Sequence, residues 1–238
     1  MPYVIDIHTH VVPGVDDGAE TVWMANKLLS MDYDQGVRHV FCTSHKWYDG
    51  YDLAEYKRNF EALKAVVRNS MPELNLHTGC ELFCSQNDMG SVLEGLRNGL
   101  YLPLGNSKCV LTELSQSTVP EEALFVVDCL IADGWTPVMA HVERYPALFD
   151  GKTIDALIEK GCMMQVNAYS LFKESGEGRK SRARQLMENR QIHFIGSDTH
   201  RLDYKQPDII DGIRYLYDHT DMEYADAVCF GNANKYLL

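Results

Sequence analysis

Long apolar runs are missing from this 238-residue chain, and none approaches the roughly 20 residues needed to cross a bilayer. The first residues also lack the basic stretch, apolar core and small-residue cleavage site of a secretory leader, because His8, His10 and Asp16 interrupt them. The expectation is a cytoplasmic protein with no direct membrane insertion. Positive charge is scarce as well: 22 Lys and Arg stand against 34 Asp and Glu, a formal net charge of −12. That balance disfavours a nucleic-acid partner, which needs a basic footprint. The seven cysteines are odd in number and never form Cys-x-x-Cys, which argues against a disulfide framework or a zinc ribbon. Cys42, Cys80, Cys109, Cys129 and Cys162 lie in or beside apolar segments and read as buried reduced thiols. Three enzyme signatures are absent too. There is no Gly-x-Gly-x-x-Gly after the first strand, no cysteine followed by Arg at the Cys-x5-Arg spacing, and no Gly-x-Ser-x-Gly elbow.

What remains is a regular alternation of strand-like and helix-like segments without linkers or repeats. Seven strand candidates can be read: Val4 to His10, Val37 to His45, Leu74 to Phe83, Lys108 to Leu114, Trp135 to His141, Cys162 to Ala168, and Gln191 to His200. Pro137 weakens the fifth. Helical patterns fall between them, over Glu20 to Asp34, Leu53 to Asn69, Ser91 to Arg97, Pro120 to Asp133, Thr153 to Lys160 and Arg179 to Arg190. Two more, Asp208 to His219 and Glu223 to the end, close the chain. Such alternation implies parallel strands joined by right-handed crossovers, and this many units suggests a single α/β domain, a closed barrel or near-barrel.

In barrels of this kind, functional groups collect at the C-terminal ends of the strands. Here those ends offer His8 and His10, then His45, Glu81, Glu113, His141, Asp198 and His200, with Asp17 on the first loop. Only the sixth strand lacks a candidate ligand, ending near Asn167 and Tyr169. The other histidines act as a control: His39, His77 and His193 fall near strand beginnings and His219 in a helix end, so they read as structural or surface residues. His8 and His10 alone could be a hydrogen-bonded pair at a strand end; the rim cluster favours a metal centre. Nine ligands suit two or three divalent ions, and mixed imidazole and carboxylate donors fit Mn, Fe, Zn, Co or Mg. Multi-metal sites favour phosphoester hydrolysis by a metal-activated hydroxide, which needs no protein nucleophile. Arg144, in His-Val-Glu-Arg-Tyr, is the leading phosphate-binding cation, against an ion pair with Glu143; Arg201 and Lys205 are further candidates. Asp32-Tyr33-Asp34 sits at a helix end rather than a strand tip and is set aside as a nucleophile motif.

Asp-Ile-His-Thr-His at 6–10, Asp16-Asp17-Gly18, Thr43-Ser44-His45, Glu81, Glu113, His141 to Tyr145 and Ser197-Asp198-Thr199-His200 together resemble the PHP (polymerase and histidinol phosphatase) superfamily. The likeness is closest to the bacterial manganese-dependent protein-tyrosine phosphatases of capsule and exopolysaccharide loci, and it spans nearly the whole chain. It implies a distorted (β/α)7 TIM-like barrel and a three-metal centre, with manganese the foremost ion. One metal would take His8, His10, Glu81 and Asp198. A second would share Glu81 and add Glu113 and His141, and a third would take Asp17, His45 and His200. The implied substrate is phosphotyrosine on the tail of a bacterial tyrosine kinase, with Arg144 as the substrate-binding arginine.

Two departures from that pattern stand out. A second arginine is usual a few residues beyond Asp-x-His, where this chain offers Arg201 and Lys205. The loop after His45 is aromatic, and Trp47 either packs a phosphotyrosine ring or covers the rim. Asp16 reads as support for the turn or for a ligand. The competing functions are a PHP-type phosphatase of a small molecule such as histidinol phosphate, an amidohydrolase or deoxyribonuclease, and a non-catalytic kinase-docking module. The sequence leaves a homo-oligomer open.

Overall fold

The computed structural model describes residues 3–46, 52–173, 176 and 178–238. Strands β1 (Val4–Thr9), β2 (Val37–Cys42) and β3 (Asn75–Thr78) form one parallel sheet. A second parallel run holds β4 (Glu81–Phe83), β5 (Cys109–Glu113), β6 (Thr136–Met139), β7 (Met163–Asn167) and β8 (Phe194–Gly196). Helices α1 (Val22–Asp34), α2 (Leu53–Ser70), α3 (Met89–Arg97), α4 (Pro120–Ala132), α5 (Thr153–Glu159) and α6 (Arg179–Glu188) supply the connections; α7 (Ile210–His219), α8 (Met222–Asp226) and α9 (Asn232–Tyr236) follow β8. Strands in sequence order, all parallel, require such crossovers. Local signals place the helix starts: Thr21 accepts from the Met24 N–H, Asp52 caps α2, and Pro120 opens α4 ahead of Glu121 and Glu122.

Two expectations are corrected. Leu74 to Phe83 is two strands, so eight strands form among the described residues. The break falls at Gly79, where a Cβ would stand 2.8 Å from Thr43 Cγ2, and whose N–H donates to the Tyr56 hydroxyl at 3.2 Å. Glu81 therefore begins β4 instead of ending a strand. The last helix is also broken, with a π turn at Ala227–Gly231 between α8 and α9. Pro137 keeps its place in β6 because pairing with β7 starts only at Val138.

The two sheets approach each other along both edges. Thr9 and Thr199 form a parallel bridge, reinforced by His10 N–H to Thr199 O (2.7 Å) and Asp198 N–H to His8 O (2.8 Å). His45 and Glu81 form another, with Glu81 N–H donating to Ser44 O at 3.1 Å. An inner apolar cluster of Ile5, Ile7, Phe41, Leu111, Val138 and Phe194 fills the space below, and a larger one lies between sheets and helices. Strict alternation would set His8 and His10 opposite Ile5 and Ile7. The β1–β2 register slips by one residue between Asp6 and Thr9, a bulge that re-aims the histidines. Asp6 Oδ1 braces it by accepting from the N–H groups of His8 (3.1 Å) and Ser197 (3.0 Å).

Candidate metal centre

Except for Glu81, which opens β4, each candidate ligand lies at a strand end or in the loop beyond one, and their donor atoms converge. His8 Nε2 and His10 Nε2 lie 3.2 Å apart, each 3.2 Å from Glu81 Oε2, and 3.7 and 3.6 Å respectively from Asp198 Oδ1. On the other side of Glu81, Oε1 meets His141 Nε2 at 2.9 Å, which is 3.6 Å from Glu113 Oε1. At the mouth, Asp17 Oδ1 stands 3.7 Å from His45 Nε2 and 3.6 Å from His200 Nε2. Four overlapping groups with metal-ligand spacing result: His10, Asp17, His45 and His200; His8, His10 and Asp198; His8, Glu81 and His141; His45, Glu81 and Glu113. Donors held about 2.0–2.2 Å from one ion sit roughly 3 Å from each other, so these separations fit shared ions.

The tautomers point the same way. His8 Nδ1 donates to Gln165 Oε1 at 3.2 Å and His10 Nδ1 donates to Asp16 Oδ2 at 2.8 Å. Gln165 is oriented by the backbone, since its Oε1 also accepts from the His141 N–H at 2.7 Å. With Nδ1 carrying the hydrogen, neutral His8 and His10 would aim lone pairs at each other, a contact that a proton on His10 or a shared metal cation relieves. Glu81 Oε2 is buried with three imidazoles beside it and no hydrogen-bond partner among the described residues, a charge-bearing atom that coordination would satisfy. The residues present thus fit divalent ions.

The electrostatics agree. Burial opposes charge on His10, yet Asp16 and Glu81 together lift it to about 10, so the pocket draws a cation to Nε2. Burial, with repulsion from His10, holds His45 down to about 4 and His200 down to about 2. Burial and then Arg144 hold His141 down to about 3. Burial and the neighbouring Glu81 charge push Glu113 up to about 8. Asp198 is held well below the usual carboxylate range: Arg144, Lys205 and His8 outweigh its burial. Asp198 and His141 both adopt left-handed backbone, φ 55° and φ 33°, strain of the kind that folds retain at functional positions.

The strand without a ligand supplies the scaffold. Gln165, whose Oε1 holds His8 and His141, donates through Nε2 to Asn167 Oδ1 at 3.0 Å. Asn167 Nδ2 donates in turn to Asp198 Oδ2 (2.9 Å) and to the Tyr169 hydroxyl (3.1 Å). Sequence reasoning missed this relay. The available signal was two amides, Gln165 and Asn167, at period-two spacing in a strand otherwise made for burial. Asp16 does support a ligand, and it accepts the His45 N–H at 3.0 Å as well.

The cations divide clearly. Arg144 Nη2 pairs with Asp198 Oδ2 and donates to the Tyr169 hydroxyl at 3.1 Å; it is not spent on Glu143, which accepts instead from Ser170 Oγ at 2.8 Å. Lys205 Nζ reaches the same Asp198 oxygen at 2.9 Å. Arg201 is not brought into the site: its guanidinium pairs with Glu20 and, at 3.1 Å, with Asp203 on the outer surface. Trp47 lies outside the described residues.

The sequence pattern of the family described as capsular polysaccharide synthesis, CpsB/CapC, matches residues 4–238. The tyrosine-protein phosphatase CpsB of Streptococcus agalactiae serotype V is 31% identical over 242 residues, covering 98% of each chain. The tyrosine-protein phosphatase YwqE of Bacillus subtilis is 29% identical over 203 residues, 84% of this chain and 78% of its own. A chain from the crystal structures of YwqE from Bacillus subtilis and CpsB from Streptococcus pneumoniae, described as unique metal-dependent tyrosine phosphatases, superposes with a TM-score of 0.83. It is 26% identical and covers 93% of this chain and 89% of its own.

Proposed function

The chain belongs to the CpsB/CapC capsular polysaccharide synthesis family, and from that membership we propose that it is a metal-dependent protein-tyrosine phosphatase. Its substrate would be phosphotyrosine on a bacterial kinase that governs capsule or exopolysaccharide assembly. The observation that carries this reading is Glu81, a buried carboxylate with imidazoles of His8, His10 and His45 at one oxygen and His141 at the other.

Three ions, manganese foremost, would be held by His8, His10, Glu81 and Asp198; by Glu81, Glu113 and His141; and by Asp17, His45 and His200. Bound there, such ions lower the pKa of water towards roughly 7 and neutralise phosphoryl charge. The protein's own share is orientation and charge. Arg144 and Lys205 are two cations on one carboxylate oxygen, so a net positive charge remains to receive equatorial phosphoryl oxygens. The buried Nε–H of Arg144 has no hydrogen-bond partner among the described residues and would be a donor left for the substrate. No side-chain nucleophile is required. The edge bridges at Thr9–Thr199 and His45–Glu81 support closure of the strands into a distorted barrel. Among the described residues no helix is long and apolar enough to cross a membrane, which fits action on a kinase tail in the cytoplasm.

The deciding experiment compares manganese-loaded turnover of a phosphotyrosine peptide, a phosphoserine peptide and histidinol phosphate. A preference of at least tenfold in kcat/KM for phosphotyrosine is expected. Preference for histidinol phosphate would overturn the tyrosine assignment.

A further inference from the structure

Two clefts flank the ligand cluster, and they differ in chemistry. One, of about 450 Å³, is lined by Tyr169, Lys173, Lys205, Gln206, Pro207 and Asp208, three of which are charged. The other, of about 310 Å³, is lined by Phe83, Leu114, Ser115 and Gln116 and includes Glu113. Glu113 belongs to both this cleft and the metal centre: its Oε1 lies 3.6 Å from His141 Nε2 and its Oε2 3.8 Å from His45 Nδ1. Phe83 pairs directly with Glu113 across the β4–β5 ladder, and both residues line this cleft. Gln116 at the rim is tied to Arg179 Nη2 at 3.4 Å.

Resting on the phosphotyrosine reading above, the geometry points to the Phe83–Leu114 cleft as the seat of the substrate's aryl ring, with Phe83 as a specificity-determining residue. A phosphotyrosine ring is separated from phosphorus by a single bridging oxygen, so its seat must adjoin the metal ligands. This cleft does so through Glu113, and its Phe83 and Leu114 walls carry no charge, whereas Tyr169 and Pro207 of the other stand among Lys173, Lys205 and Asp208. Volumes of about 300–1,000 Å³ are usual for small-ligand clefts, so a ring fits here. The phosphorus end is recessed, since His8, His10, Glu81, His141 and Asp198 are all buried. A phosphoserine side chain lacks the length to bring its phosphate down to them while the peptide stays outside. The apolar wall then adds affinity that only an aryl ester collects.

The test uses the full chain loaded with manganese, Phe83→Ala and Phe83→Leu. Calorimetry gives the Kd of a peptide bearing a non-hydrolysable phosphonomethyl-phenylalanine, and inhibition kinetics give the Ki of inorganic phosphate. Phe83→Ala should weaken the phosphonate peptide about tenfold, with phosphate Ki unchanged and Phe83→Leu falling between. Unchanged peptide affinity, or equal weakening of peptide and phosphate, would overturn the assignment of the ring to this cleft. Failure of the unmutated protein to bind the phosphonate peptide would sink the phosphotyrosine reading and this inference together.

Discussion

His10 Nδ1 donates to Asp16 Oδ2 at 2.8 Å, and that bond fixes which nitrogen of His10 is offered to the centre. The same carboxylate accepts the His45 N–H, so one acid orients two candidate ligands. Asp16→Asn keeps the shape but weakens acceptance and removes the charge. The expected result is a 10- to 100-fold loss of manganese affinity with the fold retained, the range seen when the partner of a metal-bound histidine is lost. Metal titration followed by calorimetry reads it. An unchanged manganese Kd would show that Asp16 serves the turn alone.

A second prediction concerns protons. His10 is raised to about 10 and Glu113 to about 8, so near neutrality both bind protons that coordination must displace. The sign follows: apparent metal affinity rises as pH increases from 6 towards 8, and binding releases protons. Titrations at pH 7 in two buffers of different ionisation enthalpy should differ by about one to two protons' worth of heat. Identical heats in both buffers would refute it.

Of the two candidate cations Lys205 and Arg201, Lys205 is the one whose side chain reaches Asp198. It sits at φ 52°, with its carbonyl accepting the His200 N–H at 3.0 Å, so the backbone aims its side chain at Asp198. Lys205→Ala should cost about 10- to 100-fold in kcat/KM on aryl phosphates, the worth of a hydrogen bond to a charged group. Arg201→Ala should stay within about threefold, because an exposed pair with Glu20 and Asp203 contributes little. Reversal of that order would return Arg201 to the phosphate site.

The contrast between those two residues shows what the sequence makes legible. Residue type and position near strand ends made the candidate donors legible, and their donor atoms do come together, although Glu81 begins β4. The direction of Arg201 was invisible, since its fate depends on Glu20, remote in sequence, and the same holds for Asp198, which unites Arg144, Lys205 and Asn167. The split at Gly79 was hidden because the apolar pattern runs on through Cys80 and Leu82; only the approach of Thr43 and the Tyr56 hydroxyl forces the break. The bulge before Thr9 escaped notice for a related reason: period-two reading counts residues and not register.

Asp32 carries the last prediction. It lies in α1 with no exposed surface, and neither carboxylate oxygen has a hydrogen-bond partner among the described residues. Burial, reinforced by the charge of nearby Asp6, raises it well above 3.8. A carboxyl raised in the fold favours folding most below its unfolded value and loses that contribution as pH climbs through the folded one. Above that window Asp32 is a buried charge without compensation. Asp32→Asn should therefore stabilise the protein by about 1–2 kcal/mol at pH 8, roughly 2–8 °C in thermal midpoint. The gain should shrink as pH falls towards 4. Thermal unfolding at pH 5 and pH 8, with manganese in excess, checks the slope. A variant less stable than the parent at pH 8 would mean that the Asp32 carboxylate is compensated in the fold.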